Sequence, residues 1–129
     1  EYVKRTGKKY FAIVDAAMND LLRPAFYESY HEIVPVKQSK ARPVNTDVVG
    51  GICEPGDTFC KDRPIPRVAE GDLVAILSAG AYGFVMAGTY NTRPLPAEVL
   101  VKGKKPAIVR KRQKVKEIWG DETVAPWQK

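Results

Sequence analysis

The apolar residues of this chain fall into short runs separated by turn-forming residues, a pattern typical of β-strands rather than of long helices. Ten glycines and ten prolines among 129 residues supply the turns. Lys102-Gly103-Lys104 separates two of the apolar runs and predicts a hairpin. The pattern therefore predicts a mainly β fold, a β-sandwich or barrel-like domain. The runs that predict strands are Phe11–Val14, His31–Val36, Thr46–Val49, Leu73–Leu77, Ala97–Val101 and Pro106–Arg110.

The segments between these runs carry weaker signals. Asn19-Asp20 is a pair of helix-capping residues and predicts a brief helical turn, which Arg23-Pro24 is expected to end. Residues 37–45 are polar and predict a loop. The prolines of Arg63–Arg67 predict an extended segment.

Length and composition predict a single domain over residues 1–129, with a flexible or helical tail over about 111–129 that includes a helical turn at Gln113–Trp119. A hydrophobic content of 44% is enough for a core without disulfides. No stretch approaches the roughly 18 apolar residues that a membrane span needs, so no membrane partner is predicted. The sequence begins at Glu1 rather than Met, and we expect it to be part of a longer chain.

The two cysteines, Cys53 and Cys60, have only His31 to join them in a metal site. This set is poor for metal coordination, and no metal site is predicted. A disulfide between the two cysteines is the alternative to two free thiols. Because one such pair is weak evidence for secretion, free thiols in a reducing cytoplasm are favoured.

The net charge of +6 comes mainly from the C-terminal part of the chain. Such a basic stretch is suited to phosphate backbones. Aromatic residues are not interleaved with it, however, and no nucleic-acid-binding motif accompanies it. A solvated strand and tail is the favoured interpretation, with no nucleic-acid partner. The basic residues are Lys102, Lys104, Lys105, Arg110, Lys111, Arg112, Lys114 and Lys116.

A thiol and a carboxylate are adjacent in the segment Gly51–Asp57, at Cys53 and Glu54. The Pro55-Gly56 pair that follows predicts a tight turn, which would present both side chains at a loop tip. A cysteine in that setting is suited to donate a proton, and its acidic neighbour to bind a cationic group. The alternative is a buried thiol beside a solvated turn.

Two further groups have chemical potential. Arg23 and Tyr27 are four residues apart, so on a helical turn they would share a face and clamp one carboxylate; an arginine packed over a tyrosine ring is the alternative. Tyr82 follows an apolar run among small residues and is suited to contact a flat, phosphorylated cofactor, or is an ordinary corner tyrosine. His31 is predicted to be structural, and Tyr90–Pro96 to be a rigid connection.

In this order, the segments resemble the C-terminal domain of the diaminopimelate decarboxylase family, within the alanine-racemase-like class of pyridoxal-phosphate enzymes. The resemblance extends over nearly the whole chain. It rests on four stretches, Asp15–His31, Val49–Asp57, Ser78–Gly83 and Tyr90–Val101.

The resemblance implies a division of labour. In the family, an N-terminal (β/α)8 barrel carries the lysine that binds pyridoxal 5'-phosphate, and a C-terminal β domain supplies substrate-binding loops. Only the second part corresponds to this chain. The active sites lie between domains and are shared across a homodimer. The implied reaction converts meso-2,6-diaminopimelate to L-lysine and carbon dioxide, and the isolated domain is expected to be inactive.

The resemblance also implies roles for five residues. Cys53 would be the catalytic proton donor, reaching the cofactor of a partner subunit, and Glu54 would bind the distal ammonium of the substrate. Arg23 and Tyr27 would bind the distal carboxylate. Tyr82 would contact both substrate and cofactor. The signs of Glu54 and Arg23 suit a substrate whose non-reacting end carries both an ammonium and a carboxylate.

Three positions depart from the family pattern: Pro55 and Thr92 stand where serine is usual, and Ala17 where glycine is usual. None removes a charged or acid–base group. Related decarboxylases that act on basic amino acids or carboxynorspermidine remain an alternative, as does a non-catalytic binding or regulatory module. Arg23 favours diaminopimelate, because basic-amino-acid substrates have no distal carboxylate for it to bind.

Overall fold

The computed structural model describes residues 2–7 and 9–128. They belong to two compact units, Glu1–Ala87 and Gly88–Lys129. The two short α-helices, α1 (Arg23–Tyr27) and α2 (Gly83–Met86), both lie in the first unit. The strands of the first unit are β1 (Tyr2–Thr6), β2 (Lys9–Ile13), β3 (Ile33–Pro35), β4 (Pro43–Val49), β5 (Thr58–Pro66) and β6 (Val74–Ile76).

The main sheet of the first unit has four strands in the order β1-β2-β4-β5. The β2–β4 pair is parallel, with Phe11 opposite Asp47, and the other two pairs are antiparallel. A second sheet pairs β3 with β6, with Ile33 opposite Ile76. The connection between the parallel strands contains α1 and β3, so α1 is attached to the sheet at both ends.

The core of the first unit lies among these strands. Ile33 of β3 is buried in it, and Val74 and Ile76 of β6 pack against it. Burial of this apolar surface provides the main stabilisation of the unit. The buried members of the core are Ala12, Val14, Leu21, Ile33, Val48, Phe59, Cys60 and Ile65.

The second unit contains one hairpin, β7 (Glu98–Lys102) and β8 (Lys105–Arg110). Gly103 takes a positive φ of 61° in its turn, a conformation that glycine adopts without steric cost. The hydrophobic side chains of the hairpin are exposed, Leu100 and Ile108 among them. The basic residues at its end and beyond are exposed, as predicted. Three 3-10 helices complete the unit, Tyr90–Thr92, Val115–Glu117 and Pro126–Gln128.

The structure confirms a mainly β fold, with a strand at each of the six predicted runs and the predicted hairpin. The predicted helical turn near the C-terminus is the 3-10 helix within Gln113–Trp119. The prediction of one domain over residues 1–129 stays a prediction. None of the helices in residues 2–7 and 9–128 has the length and apolarity needed to cross a membrane.

Two boundary predictions are wrong. Arg23-Pro24 starts a helix rather than ending one, because proline fits the first turn, where its missing N–H has no intrahelical partner. Residues 37–45 are not all loop, since β4 begins at Pro43. Pro43 is tolerated there because this end of β4 pairs only with β5, while pairing with β2 starts at Thr46.

Two strand regions are absent from the prediction. β1 is mostly exposed and polar, and it joins the sheet through backbone pairing with β2. β5 begins at Thr58, five residues before the predicted extended segment Arg63–Arg67. Its prolines, Pro64 and Pro66, lie on an edge strand of the described sheet, where a missing N–H is tolerated.

Asp47 is a buried carboxylate in the middle of the main sheet, only 6% exposed. One of its oxygens accepts the backbone N–H of Asp62 at 2.6 Å, and the other lies 2.9 Å from Lys9 Nζ. The hydrogen bond from Lys9 to Asp47 raises the pKa of the Lys9 ammonium above its usual 10.5, and the negative charge of Asp47 adds to the effect. The ion pair therefore joins β2 to β4 most strongly while Lys9 is protonated.

We predict that Lys9→Met lowers the free energy of unfolding, and that its deficit against the wild type depends on pH. Since the folded pKa of Lys9 is raised, the deficit is full below the unfolded value of 10.5 and shrinks as the pH rises through the folded pKa. Urea unfolding of both proteins at several pH values between about 8 and 12 measures it. A deficit that stays constant across this range would contradict the assignment.

Candidate active site

Three of the predicted site residues line one cavity of about 310 Å³. Arg23 and Tyr27 belong to α1, and Tyr82 directly precedes α2. Ser29 and Met86 complete its lining. The spacing of four residues therefore does place Arg23 and Tyr27 beside the same space, as predicted for a shared helical face. The fold adds Tyr82, which is distant from both in the sequence.

Local sequence explains the position of α1. Asp20 closes a turn ahead of the helix, since its carboxylate and its backbone N–H both bond to Ala17, each at 2.9 Å. Pro24 lies in the first turn of α1 and is buried. Glu28 ends the helix in the left-handed conformation, with a φ of 54°. The helix is thus one turn long and fixed at both ends.

The guanidinium of Arg23 lies over the ring of Tyr82, with 5.7 Å between Cζ and the ring centroid. This is a cation–π distance. Within residues 2–7 and 9–128, no carboxylate forms an ion pair with Arg23. A guanidinium held in place by a ring, and without an ionic partner, is suited to bind a ligand carboxylate through paired hydrogen bonds.

Tyr82 takes a positive φ of 60° at the start of α2, and its side chain is 64% exposed. A Cβ atom placed on either neighbouring glycine, Gly80 or Gly83, would meet no other atom within 4 Å. The backbone at these two glycines is therefore uncrowded. The exposed position agrees with the predicted presentation of Tyr82 after a strand.

Cys53 and Glu54 lie in the loop between β4 and β5. A β-turn runs from Glu54 to Asp57 and is closed by the Asp57 N–H bonding to the Glu54 carbonyl at 2.9 Å. Pro55 and Gly56 occupy its central positions, and Gly56 is not among the residues with a positive φ, which fits a type I rather than a type II turn. Cys53 is exposed as a free thiol, so the alternative of a buried thiol is wrong for this residue.

The side chain of Glu54 is half-buried and folds back on its own turn. One carboxylate oxygen, Oε1, accepts the backbone N–H of Gly56 at 3.0 Å. This bond orients the carboxylate. Among the described residues, no cation pairs with it.

The structure does not bring all five predicted residues together. Arg23, Tyr27 and Tyr82 share a cavity, whereas Cys53 and Glu54 are not among its lining residues. The loop residues that follow them, Pro55 and Gly56, line a different cavity of about 370 Å³. The two groups of candidate site residues thus do not share a cavity, although the two cavities adjoin at Ser29, which lines both.

Comparisons with known proteins identify the family of this chain. Residues 1–80 match the family described as the C-terminal sheet domain of pyridoxal-dependent decarboxylases. The chain belongs to this family. Its members are pyridoxal-dependent, and the matched residues lie within the first unit, which extends to Ala87 and so also includes Tyr82.

Two similar relatives are diaminopimelate decarboxylases, from Pseudomonas aeruginosa (52% identical over 98% of this chain) and from Zymomonas mobilis (50% over 97%). The chain spans about 30% of the length of each relative. The solved diaminopimelate decarboxylase of M. jannaschii, in a co-complex with L-lysine, is 36% identical with a TM-score of 0.91. That match covers 98% of this chain and 29% of the solved chain.

The residues around Tyr82 fit one edge of the family's cofactor. A flat phosphorylated ring needs an aromatic or polar neighbour beside an accessible cavity, and the exposed Tyr82 ring lines one. The Arg23 guanidinium beside the ring adds positive charge that suits an anionic ligand. The predicted contact of Tyr82 with pyridoxal phosphate stays a prediction.

His31 has the structural position predicted for it. It is buried, and its Nδ1 lies 3.0 Å from the Leu77 carbonyl, which joins it to the end of β6. Its own carbonyl accepts a hydrogen bond from Arg63, whose Cζ lies 4.3 Å from the centroid of the Tyr30 ring. These contacts fix the chain that follows α1.

Sequence reasoning assigned no role to three residues at the site. Ser29 and Met86 line the cavity but lie outside any chemical pattern, although Met86 is one helical turn beyond Tyr82. Asp57 ends the segment that contains Cys53, and its carboxylate is buried. A charged residue directly after the Pro-Gly turn was the available signal for Asp57.

We predict that the two thiols differ in reactivity. Cys53 is exposed, whereas Cys60 is buried, and burial raises the pKa of the Cys60 thiol. Iodoacetamide at pH about 8 should therefore label Cys53 while Cys60 stays protected until the chain unfolds. Peptide mass spectrometry of the native and urea-unfolded protein measures both rates. Equal labelling of the two cysteines in the native state would contradict the prediction.

Proposed function

We propose that this chain is the C-terminal domain of a pyridoxal-phosphate-dependent diaminopimelate decarboxylase, which converts meso-2,6-diaminopimelate to L-lysine and carbon dioxide. The observation that carries the proposal is the cavity that Arg23, Tyr27 and Tyr82 line. The names of the relatives and the lysine present with one of them support it. We propose that the isolated chain is inactive. We also propose that the protein is cytoplasmic, because its two free thiols suit a reducing compartment.

The cavity favours a substrate with a second carboxylate. The Arg23 guanidinium can give two parallel N–H bonds to a carboxylate, and the Tyr27 hydroxyl can add a third. Diaminopimelate carries such a carboxylate at its non-reacting end, whereas lysine and ornithine do not carry one there. A guanidinium placed in this cavity would have no counterion from those amino acids, so diaminopimelate is the substrate that the cavity suits.

Glu54 is proposed to bind the ammonium at the same end of the substrate. Its Oε1 is already fixed by the Gly56 N–H, which leaves Oε2 to accept an ammonium N–H. Opposite charges on Glu54 and Arg23 match the two groups of a free amino-acid end. Such a pair of contacts fixes the orientation of the bound substrate and also increases its affinity.

Cys53 is proposed to be the proton donor. Bound pyridoxal phosphate supplies an electron sink for the electron pair that remains when carbon dioxide leaves. The Cys53 Sγ–H then gives its proton to the carbon that lost carbon dioxide, which forms the new C–H bond and leaves a thiolate. Exposure of Cys53 at the loop allows this contact and allows the thiolate to regain a proton from solvent.

We propose that two copies of the chain build the site together, because Cys53 and Glu54 do not line the cavity that holds Arg23, Tyr27 and Tyr82. Arg23, Tyr27 and Tyr82 of one copy would serve the same active site as Cys53 and Glu54 of the partner. The cofactor-binding lysine and the remaining contacts would come from an N-terminal barrel of the full-length protein. A homodimer with two shared sites follows from this proposal.

We expect the full-length protein with pyridoxal phosphate to release carbon dioxide from meso-diaminopimelate. Parallel assays with L-ornithine and carboxynorspermidine serve as substrate controls. Release from diaminopimelate alone supports the proposal. Carbon dioxide release only from another substrate would refute the assigned substrate. No release from any of the three substrates would indicate a non-catalytic binding module.

Single variants of the full-length protein should separate the two roles. Cys53→Ala should lower kcat by about 100-fold or more with little change in KM, since it removes the proton donor. Arg23→Ala should mainly raise KM for diaminopimelate, by about 10-fold or more, because it removes a charge-assisted contact. Cofactor absorbance provides the control that both variants still bind pyridoxal phosphate. An unchanged kcat for the first, or an unchanged KM for the second, would contradict the assigned role.

Mixing the two variants tests whether each site is shared. If Arg23 and Cys53 of different copies serve one site, a mixed dimer has one site with both changes and one with neither. Co-refolding equal amounts should then restore about a quarter of the wild-type activity, assayed at low substrate concentration. If Arg23 and Cys53 of the same copy serve one site, every site in the mixed dimer carries one of the two changes. The mixture is then no more active than the average of the two separate variants.

A further inference from the structure

Asp57 is the most deeply buried charged side chain among the described residues, with 2% exposure. Its Oδ1 accepts the backbone N–H of Met18 at 2.7 Å, and its Oδ2 accepts the backbone N–H of Ile52 at 2.8 Å. A buried carboxylate needs such donors, because an unsatisfied buried charge is strongly unfavourable. The carboxylate is therefore held by two separate segments of the chain.

Each of these segments leads to one group of site residues. Ile52 directly precedes Cys53, so the hydrogen bond from its N–H fixes the backbone where the proposed proton donor begins. Met18 lies in the turn before α1, which carries Arg23 and Tyr27. One carboxylate thus contacts the backbone of the segments that precede both groups, at Met18, 39 residues away in the sequence, and at Ile52, five residues away.

The backbone around Asp57 is built to fit this carboxylate. A Cβ atom on Gly50 would lie 2.2 Å from Oδ2 and 2.3 Å from Oδ1 of Asp57, closer than such atoms can approach. Gly50 also donates its N–H to the Asp57 carbonyl at 3.0 Å. The absence of a side chain at position 50 is thus a requirement of the carboxylate rather than of the φ angle.

We propose that Asp57 is a positioning residue that sets both the Cys53 loop and the α1 segment in place for decarboxylation. It touches neither substrate nor cofactor in this role, and it acts through the backbone of Ile52 and Met18. The proposal rests on the proposed function for its catalytic part. It goes beyond that function because one buried side chain then positions both the Cys53 loop and α1. If two copies share each active site, these two segments of one copy serve two different active sites.

Asp57→Asn is the direct test, because it keeps the size of the side chain and leaves one oxygen for two N–H donors. Asp72→Asn is the matched control. Asp72 also accepts a backbone N–H, that of Ala69 at 2.8 Å, but in an exposed turn. In the full-length protein we expect Asp57→Asn to lower kcat and raise KM together, each by about 10-fold, while Asp72→Asn leaves both within about two-fold.

A second readout does not depend on activity. Amide hydrogen exchange of Ile52 and Met18 should accelerate by at least about 10-fold in Asp57→Asn, while the amides of β4 and β5 keep their wild-type protection. Unchanged exchange at both residues would overturn the proposal. Faster exchange together with wild-type kcat and KM would also overturn it, because the loop and α1 would then not need Asp57 for catalysis.

The two readouts separate this proposal from the proposed function. If the wild-type full-length protein decarboxylates nothing, the proposed function fails, and the exchange experiment still tests whether Asp57 holds both segments. If Asp57→Asn loses the protection of β4 and β5, the exchange is repeated with sucrose present, which favours the folded state. Loss of the sheet protection under that condition as well would overturn the positioning role and leave Asp57 a residue of the fold alone.

Discussion

The carboxylate of Asp57 is the constraint on which the site depends. A negative charge cannot be buried without donors, and the chain supplies them from backbone N–H groups rather than from a basic side chain. Backbone donors can be moved only by moving the chain itself. Satisfying this one charge therefore fixes the path of the Cys53 loop and the turn that leads into α1.

The remainder of the first unit provides a rigid support for these segments. The parallel pair β2–β4 holds the two ends of the connection that contains α1, and the Lys9–Asp47 pair joins the same two strands. The side chains proposed to act on the substrate are exposed or half-buried and make few internal contacts. This division is physically reasonable, because groups that must bind a ligand cannot also be fully satisfied within the fold.

Local signals in the sequence were enough to predict most strands, since apolar runs between glycines and prolines specify them without distant contacts. β6 and the β7–β8 hairpin are examples. β1 could not be found in this way, because Tyr2–Thr6 is largely polar and its pairing with β2 comes from the backbone. The prediction for Pro24 is wrong because proline can either stop a helix or occupy its first turn. The two cases differ in whether the residues before the proline are helical.

The candidate site shows the same limit. The spacing of Arg23 and Tyr27 predicted a shared face, and the Pro-Gly turn predicted the exposure of Cys53. The contact of Asp57 with Met18 joins residues 39 positions apart, so no local pattern indicates it. The placement of Met86 beside Tyr27 likewise depends on how α2 packs, which is a property of the fold and not of either segment.

The turn at Pro55 has a consequence for how this loop can change during evolution. The turn is closed by the backbone of Glu54 and Asp57, and it is reinforced by the side chains of the same two residues. The side chain at position 55 makes none of these bonds. Serine in place of Pro55 would therefore leave these bonds intact, so a change at this position need not move Cys53.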